Sequence, residues 1–488
     1  MALALGGGAL MRLEMLKALP QITGDTLLYG NLAKHLLQGQ YAITDAAGVT
    51  HETLIRLPGY PLLIAACFRL FGLDNYNAVS YVQIGLELIG CLLLAAFVRR
   101  IASEGAAHWT LWLSALCPFT ASYAVAPLTE TPTLFAIALA LWAMARFHAR
   151  PGWGNALAFT FAVTFAALLR PDGALVGLAL APAMAWGMLR ALSASADSAR
   201  KQQDAARSCP EPFWTRNRIS WQPVNPVSGN RPSIIGLLRI GLVCALLALL
   251  PFVIWTARNW RVFHVFEPLA PRYATDPGDE TYPGWQRWVK TWCLDFVSTY
   301  EIYWPVPGSP LELEKLPARA FDSAQQYEET AAVAADYNDR DEAKDILPDV
   351  DAGFARLAQD RIAAHRLRYY VWLPLGRVAD MWLRPRVENL NIDLDWWVYS
   401  HHNAETRFSW AYAALNAAYL LLALAGLCFR PRYWLWMVAY FVLRSALLMT
   451  IEAPEARYTL ECFPMIIALA GIGIWACCGK VARVFARR

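Results

Sequence analysis

The sequence predicts an all-α fold, a polytopic bundle of about ten transmembrane helices with interfacial helices and one large helical loop. Apolar residues fill 57% of the 488 positions and charged residues only 17%. This balance disfavours both a disordered chain and a water-soluble domain. Apolar segments recur at the length that a bilayer requires, and Lys and Arg gather on one side of them. Together these observations indicate an integral membrane protein.

Nine segments come close to the roughly 20 mostly apolar residues with which a helix crosses a bilayer. They are 77–98, 108–125, 127–147, 154–169, 172–192, 233–257, 409–429, 432–450 and 460–479. A single segment of this kind can equally be a core helix of a soluble protein. Nine in one chain are not expected of a soluble core, so we interpret them as membrane spans.

Residues 1–19 are apolar but carry Arg12, Glu14 and Lys17. We interpret them as the end of a first transmembrane helix. A cleaved signal peptide is the alternative, and it is weaker because no small-residue cleavage site follows the apolar stretch.

The positions of Lys and Arg predict the orientation in the membrane. Basic residues occupy three short connections, the segment 193–232 and the C-terminal residues; those in the connections are Arg99, Arg100, Arg146, Arg150, Arg430 and Arg432. Alternating passes place all of them on one side, which the positive-inside rule makes cytoplasmic. We therefore expect a multi-pass protein of the cytoplasmic (inner) membrane, with an active site facing the periplasm or exterior.

The segment 258–407 then falls on the outer side as one large loop. It holds 24 Asp and Glu against 17 Lys and Arg, a net charge of −7. Because the loop lacks an excess of basic residues, we do not expect nucleic acid as a partner. The expected partner of the apolar segments is the lipid bilayer. Apolar residues repeat at helical spacing over 354–382. Eight tryptophans of this loop are expected at the headgroup level, namely Trp285, Trp288, Trp292, Trp304, Trp372, Trp382, Trp396 and Trp397.

We divide the chain into three parts. Residues 1–257 form an N-terminal transmembrane module that includes a first outer loop, 20–76; residues 258–407 form the large loop; residues 408–488 form the C-terminal transmembrane helices. The first outer loop has helical spacing over Leu27–Gln38. A rigid Pro-Gly-Tyr-Pro bend then precedes a short apolar stretch, Leu62–Phe71, which we interpret as an interfacial helix.

Ionisable residues at the outer ends of apolar segments are the candidate functional residues, because a charge beside hydrocarbon is costly. The candidate catalytic residues are Asp25 and Glu130. The candidate substrate-binding residues are Tyr29, Arg56, Tyr60, Arg170, Arg258, Arg457 and Tyr458. The predicted topology places all of them on the same side of the membrane.

These residue types suit glycosyl transfer from a lipid phosphate. A carboxylate can deprotonate an acceptor hydroxyl, and arginines can hold the phosphate in a two-pronged contact. Structural alternatives stay open for each: Asp25 can cap a helix, Glu130 can interact with a helix dipole, and the arginines can anchor lipid headgroups.

Several short motifs occur in an order that resembles the GT-C glycosyltransferases, nearest to the bacterial protein mannosyltransferase-like enzymes that transfer aminoarabinose or galacturonic acid. The motifs are Gly24-Asp25-x-x-x-Tyr29, Leu36-x-x-Gly39-x-Tyr41, Arg56-x-Pro58-Gly59-Tyr60-Pro61, Thr129-Glu130-Thr131, Leu169-Arg170-Pro171, Arg258-Asn259-x-x-Val262-Phe263 and Arg457-Tyr458-x-Leu460. The resemblance extends from residue 12 to about residue 480.

The resemblance implies a GT-C fold and an inverting glycosyltransferase that uses a polyprenyl-phosphate sugar, with Asp25 as the base. The acceptor stays open among lipid, polysaccharide and protein. Many relatives carry a second acidic residue where this chain has Thr26, so a divalent cation is left open and no residue is assigned to a metal. A membrane transporter or flippase for a lipid-linked or polar substrate is the alternative function.

Overall fold

The computed structural model describes residues 1–19, 22, 24–45, 47–207, 234–340, 345–393, 396–397 and 403–485. Within these ranges the chain is helical apart from one small hairpin, so the predicted all-α class is confirmed. Most of the basic segment 193–232 and the last three C-terminal residues, on which the predicted orientation partly depends, lie outside the described residues.

Ten helices and the hairpin make up the chain as far as residue 263. The helices are α1 (Ala2–Ala18), α2 (Gly24–Leu37), α3 (Gly59–Phe71), α4 (Tyr76–Ile101), α5 (Glu104–Ala115), α6 (Pro118–Ala124), α7 (Glu130–Ala149), α8 (Trp153–Leu169), α9 (Ala174–Arg207) and α10 (Ile234–Phe263). Strands β1 (Ala42–Thr44) and β2 (Thr50–Glu52) pair antiparallel with Ile43 opposite His51. A 3-10 turn, Pro171–Gly173, joins α8 to α9.

Eight helices follow: α11 (Pro283–Lys290), α12 (Phe296–Ser298), α13 (Ala324–Arg340), α14 (Pro348–Ala364), α15 (Leu373–Leu383), α16 (Asn403–Cys428), α17 (Trp434–Leu448) and α18 (Phe463–Phe485). Shorter helical turns are Thr299–Tyr303, Leu313–Lys315, Ala318–Ala320, Arg368–Trp372 and Ala456–Cys462. Helix α10 extends to Phe263 and α16 begins at Asn403. The part of the large loop outside these two helices is therefore 264–402, and it contains α11 to α15.

Six described helical segments are long and apolar enough to cross a membrane: Tyr76–Ile101, Glu130–Ala149, Pro171–Ser193, Ile234–Phe263, Asn403–Cys428 and Ala456–Cys478. Shorter apolar helices accompany them at Gly59–Phe71, Trp153–Leu169 and Trp434–Leu448. Multiple apolar helices of this kind make the chain a multi-pass membrane protein.

The predicted span 108–125 is wrong as one continuous helix. Helix α5 ends at Ala115, and α6 begins anew at Pro118. Proline has no N–H group to continue a helical ladder and is well suited to a first helical turn. The sequence contained this signal within the predicted span.

One large apolar core is shared by α4, α5, α6, α7, α8, α9, α16, α17 and α18. Small residues allow the closest approaches. A Cβ atom on Gly426 of α16 would lie 1.9 Å from the carbonyl oxygen of Leu469 in α18, and one on Gly473 would lie 2.3 Å from that of Leu422. Backbone-to-backbone packing through glycine is typical of helix pairs in membranes.

The large loop has a separate core. Trp285, Trp288 and Trp292 recur at helical spacing and are buried, with the first two rings 5.0 and 5.1 Å from the ring of Phe354 in α14. The expectation that these tryptophans lie at a headgroup surface is therefore wrong. They pack α11 and the turn after it against α14 instead.

A buried ion pair attaches α1 to the bundle. Arg12 Nε lies 2.5 Å from Glu87 Oε2 of α4, and both side chains are almost fully buried. The Arg12 guanidinium also donates to the carbonyl oxygens of Gly8 and Ala115. These contacts compensate a charge that would be costly among apolar helices.

Candidate functional site

A polar cavity of about 510 Å³ lies where the ends of several helices meet the first and large loops. This volume is in the range of small-molecule sites. Its charged and aromatic lining comes from segments far apart in sequence, namely Asp25, Tyr29, Arg56, Glu130, Arg170, Asp172, Arg272, Tyr273, Tyr303, Trp304, Glu452, Arg457 and Tyr458. Seven of the nine predicted site residues thus meet in one place.

Asp25 lies in the first turn of α2 and is held between two arginines. Its Oδ1 is 3.3 Å from Nη2 of Arg56, and its Oδ2 is 3.4 Å from Nη1 of Arg457. Burial alone would raise the pKa of Asp25, but the charges of Arg457 and Arg56 outweigh it and hold the pKa below the ordinary aspartate value. The carboxylate is therefore ionised at neutral pH and stays partly open to the cavity.

Glu130 begins α7 and is far more enclosed. Its Oε1 accepts a 2.9 Å hydrogen bond from Nη1 of Arg170, while its Oε2 is buried with no hydrogen-bond partner among the described residues. Arg457 Nη1 lies 4.0 Å from the same Oε1 atom. Glu130 thus lies behind Arg170 and Arg457, where it can orient both guanidinium groups.

Arg170 belongs to a network of alternating positive and negative side chains. Only Arg170 itself was among the residues predicted from the sequence. Its Nε lies 3.1 Å from Asp172 Oδ1 and 3.3 Å from Glu461 Oε1. Arg444 closes the network, with its Nη1 2.6 Å from Asp172 Oδ2 and 3.0 Å from Glu461 Oε2. Because Arg444 is fully buried in α17, this arrangement fixes the turn that carries Arg170.

The ring of Tyr458 lies close to the guanidinium groups of both Arg170 and Arg457. The guanidinium carbons of Arg170 and Arg457 are 5.7 and 5.6 Å from the centre of its ring. Its hydroxyl donates to Glu455, which also lies 2.5 Å from Arg457 Nε. The aromatic ring and the carboxylate together restrict the orientation of Arg457.

The structure does not bring Arg258 and Tyr60 into the cavity lining. The Arg258 guanidinium donates to the carbonyl oxygens of Thr53 and Tyr41, at 2.7 and 2.9 Å, and so braces the hairpin of the first loop. Tyr60 is fully buried, and its hydroxyl donates to Gln83 at 2.8 Å. Its ring packs edge-on against Tyr29, with 4.9 Å between centroids, and so supports a residue that does line the cavity.

Sequence reasoning missed Asp172, Arg444, Glu455 and Glu461. Two signals could have found the most buried ones. Arg444 is a charged residue inside the apolar segment 432–450, and Glu461 begins the apolar segment 460–479. An intramembrane charge is a functional candidate whose partner should be sought.

The sequence left a divalent cation open. Among the described residues, no group of three His, Cys, Asp or Glu side chains is arranged to hold a metal ion. The two oxygens of Asp25 face guanidinium groups. These residues suit an anionic ligand better than a cation.

Comparison with known proteins gave one family and a small set of solved structures. The family model described as dolichyl-phosphate-mannose-protein mannosyltransferase matches residues 56–195. No curated protein matches the chain.

The solved structures are similar at low identity. ArnT from Cupriavidus metallidurans bound to undecaprenyl phosphate is 15% identical, with 96% of this chain and 76% of that chain covered and a TM-score of 0.37. The apo form of ArnT gives a TM-score of 0.36. The archaeal oligosaccharyltransferase AglB from Archaeoglobus fulgidus, in complex with an inhibitory peptide and a dolichol-phosphate, is 11% identical, with 99% of this chain and 51% of that chain covered and a TM-score of 0.44.

The matched segment begins at Arg56 and includes Glu130 and Arg170, three of the residues singled out in the sequence. The family match over residues 56–195 thus confirms the predicted resemblance of this chain to GT-C glycosyltransferases of the protein mannosyltransferase type.

Proposed function

We propose that this protein is a membrane glycosyltransferase that moves a sugar, with inversion, from a polyprenyl-phosphate donor to an acceptor on the outer face of the cytoplasmic membrane. The matched family, whose name includes a lipid-phosphate sugar donor, supports the donor class. The observation that carries the proposal is Asp25, an accessible carboxylate held between Arg56 and Arg457 in a cavity that a small ligand can enter.

The arrangement suits a single displacement. The acceptor hydroxyl oxygen attacks the anomeric carbon of the sugar while its proton passes to the Asp25 carboxylate. The bond between the anomeric carbon and the phosphate oxygen breaks, and the electron pair leaves with the polyprenyl phosphate. Because attack comes from the face opposite the leaving group, the anomeric configuration inverts.

The arginines stabilise the charge that develops on the leaving group. The donor phosphate is a diester with one negative charge, and it becomes a monoester carrying more negative charge as the bond breaks. Arg56 and Arg457 face the cavity beside the base, and Arg170 is held immediately behind by Glu130 and Asp172. A guanidinium presents paired donors that match phosphate oxygens.

The cavity also has an apolar side. Leu447 and Leu448 at the end of α17, with Ile451 after it, are among the residues that line the cavity. The first isoprene units of a lipid donor can lie against this side, while the phosphate faces the arginines. A lipid-linked donor therefore fits the cavity better than a water-soluble nucleotide sugar.

A transfer assay in membranes tests the proposal. Membranes containing the protein are incubated with a panel of radiolabelled polyprenyl-phosphate sugars, and labelled product and released lipid phosphate are both measured. We expect at least one donor to be consumed with product formed, and this product to be lost with Asp25→Asn.

Two outcomes contradict the proposal. One is that no donor in the panel is consumed. The other is that labelled lipid crosses the bilayer without sugar transfer, which would make the protein a flippase.

A further inference from the structure

A second polar cavity, of about 440 Å³, lies within the large loop beside the first. The segment 296–304 lies between them: Ser298 and Glu301 line the second cavity, while Tyr303 and Trp304 line the first. A ligand that occupies the second cavity is therefore close to the proposed site of transfer.

The second cavity is lined by a buried arginine, Arg384, whose side chain is only 9% exposed. Its nearest described carboxylates, Asp380 Oδ1 and Glu388 Oε1, are 3.8 and 3.9 Å away. Its Nε is buried and has no hydrogen-bond partner among the described residues. By contrast, the buried Arg386 donates to Asn416, Ala456 and Thr459.

Asp380, one helical turn before Arg384, also has a buried polar atom that is not hydrogen-bonded to any described residue. Its Oδ2 is buried and has no hydrogen-bond partner among the described residues. Burial raises the pKa of this carboxyl to about 6, against the opposing effect of Arg384. Arg384 and Asp380 thus lie side by side at the cavity, with part of their hydrogen-bonding capacity unused by the described residues.

The charges and aromatic rings of the cavity indicate the class of ligand. Among the described residues, three carboxylates and three cationic groups line it, namely Asp295, Glu301, Asp380, Lys315, Arg319 and Arg384. Asp295 and Arg319 already form a short ion pair with each other. The rings of Trp396 and Trp397 form one side, 5.8 Å apart and nearly perpendicular. Indole rings beside hydrogen-bonding side chains suit a ligand that is rich in hydroxyl groups and apolar on one face.

We propose that this second cavity binds a neutral saccharide unit of the acceptor. The assignment to the acceptor rests on the proposed glycosyl transfer, because a sugar bound here lies beside the cavity in which Asp25 would act. Sugar hydroxyls can accept from Arg384 and donate to Asp380, and the sugar ring can pack on Trp397.

Direct binding tests this site. The protein is placed in lipid nanodiscs, free of sugar-headed detergent, and dialysed to equilibrium with radiolabelled neutral tetrasaccharides of mannose, glucose or N-acetylglucosamine. We expect at least one tetrasaccharide to bind. Trp397→Ala removes the ring on which the sugar can pack, and Arg384→Gln removes a charged hydrogen-bond donor. Each substitution should therefore weaken binding by roughly tenfold or more.

Trp372→Ala is the matched control for Trp397→Ala. Both rings are exposed in the large loop, at 66% and 48%, but Trp372 lies outside the second cavity. Because Trp397 is on the surface, its loss should not prevent folding. The midpoint of thermal unfolding in nanodiscs checks this in each variant.

The proposal is overturned if none of the three tetrasaccharides binds, or if the Trp372 and Trp397 variants lose binding equally. It is also overturned if inorganic phosphate displaces the saccharide, since the cavity would then be an anion site. Saccharide binding without sugar transfer from any donor would contradict the proposed function alone. Transfer without saccharide binding would contradict only this second site.

Discussion

Asp25 and Glu130 are both carboxylates in the first turn of a helix, but their surroundings suit different roles. The Asp25 side chain is 34% exposed and that of Glu130 only 2%. A base must come within hydrogen-bond reach of the group that it deprotonates. Asp25 meets this condition from the cavity, whereas Glu130 is almost fully buried beside Arg170.

Asp25→Asn separates a base from a structural carboxylate. Asn keeps the size of Asp and begins helices equally well, so the protein should fold and bind donor. Sugar transfer should fall by roughly two to four orders of magnitude, which is the usual contribution of a positioned base. The measurement is initial transfer rate in membranes at matched protein level.

The matched control is Asp74→Asn, which alters an exposed ion pair with Lys34 outside the cavity. It should retain the transfer rate of the natural sequence. Near-normal transfer by the Asp25 variant would mean that the Asp25 carboxylate has only a structural role. Glu130 would then be the candidate base.

The charges around Asp25 also predict a pH dependence. A base acts only when deprotonated, and Arg457 and Arg56 lower the pKa of Asp25, so transfer should persist below the ordinary pKa of aspartate. Arg56→Gln removes one of these positive charges, so the pKa should rise and the acid limb of the pH–rate profile should move to higher pH. The profile of kcat/KM measures this shift.

Arg69→Gln is the control for the pH experiment, because Arg69 is an exposed arginine of α3 outside the cavity. Its acid limb should coincide with that of the natural sequence. An unshifted limb in the Arg56 variant would show that Asp25 is not the titrating base.

At the scale of elements, the close crossing of α16 and α18 depends on glycine. A Cβ atom at Gly426 would collide with the backbone of α18, so Gly426→Ala must push the helices apart. Overpacking of this kind costs about 1–3 kcal/mol. We expect a lower midpoint of thermal unfolding in nanodiscs.

Gly85→Ala provides the comparison, because a Cβ atom added to this glycine of α4 would meet no other heavy atom within 4 Å. The substitution should be neutral or slightly stabilising, since alanine favours helix over glycine. Equal effects of the two substitutions would contradict the packing argument.

Helices were predictable where one physical rule dominates. Long apolar runs must be helical in a bilayer, since every backbone polar group needs an internal partner, and the structure has helices in these runs. The break before Pro118 was overlooked although the proline was visible. The buried tryptophans of α11 could not be assigned, because the same spacing serves a membrane interface or a protein core.

The site was predictable as a set of residue types but not as a set of contacts. Asp25 and Arg457 are 432 positions apart, and no local pattern specifies that they meet. Arg258 has the same residue type and a similar helix-end position, yet it bonds to the hairpin carbonyl groups of Thr53 and Tyr41. Only the packing of the first loop against α10 decides between these outcomes.

At the scale of the whole molecule, the distribution of charge predicts the orientation. The loop 258–407 has a net charge of −7, whereas short connections between spans carry arginines. An engineered cysteine at Asp339 in α13 should therefore react with an impermeant reagent in intact cells. The natural sequence, with its own exposed cysteines, sets the background.

A cysteine at Gly152, between α7 and α8, should react only after permeabilisation. Protection of the site at 339 in intact cells, with labelling at 152, would reverse the topology and place the proposed active site on the cytoplasmic side.

The ion pair between Arg12 and Glu87 has a consequence for how the protein is made. Its two members are 75 residues apart, so at about 5–20 residues per second α1 leaves the ribosome several seconds before its partner helix. An isolated arginine at the centre of a bilayer costs roughly 2.5–3.5 kcal/mol. Helix α1 is therefore a weak anchor until α4 arrives, and the two should become stably integrated as a pair. Chains released at residue 70 should be extracted from membranes by alkali more readily than chains released at residue 101, which contain α4. In the full chain, Glu87→Leu should lower the midpoint of thermal unfolding in nanodiscs, because it leaves Arg12 buried without its ionic partner.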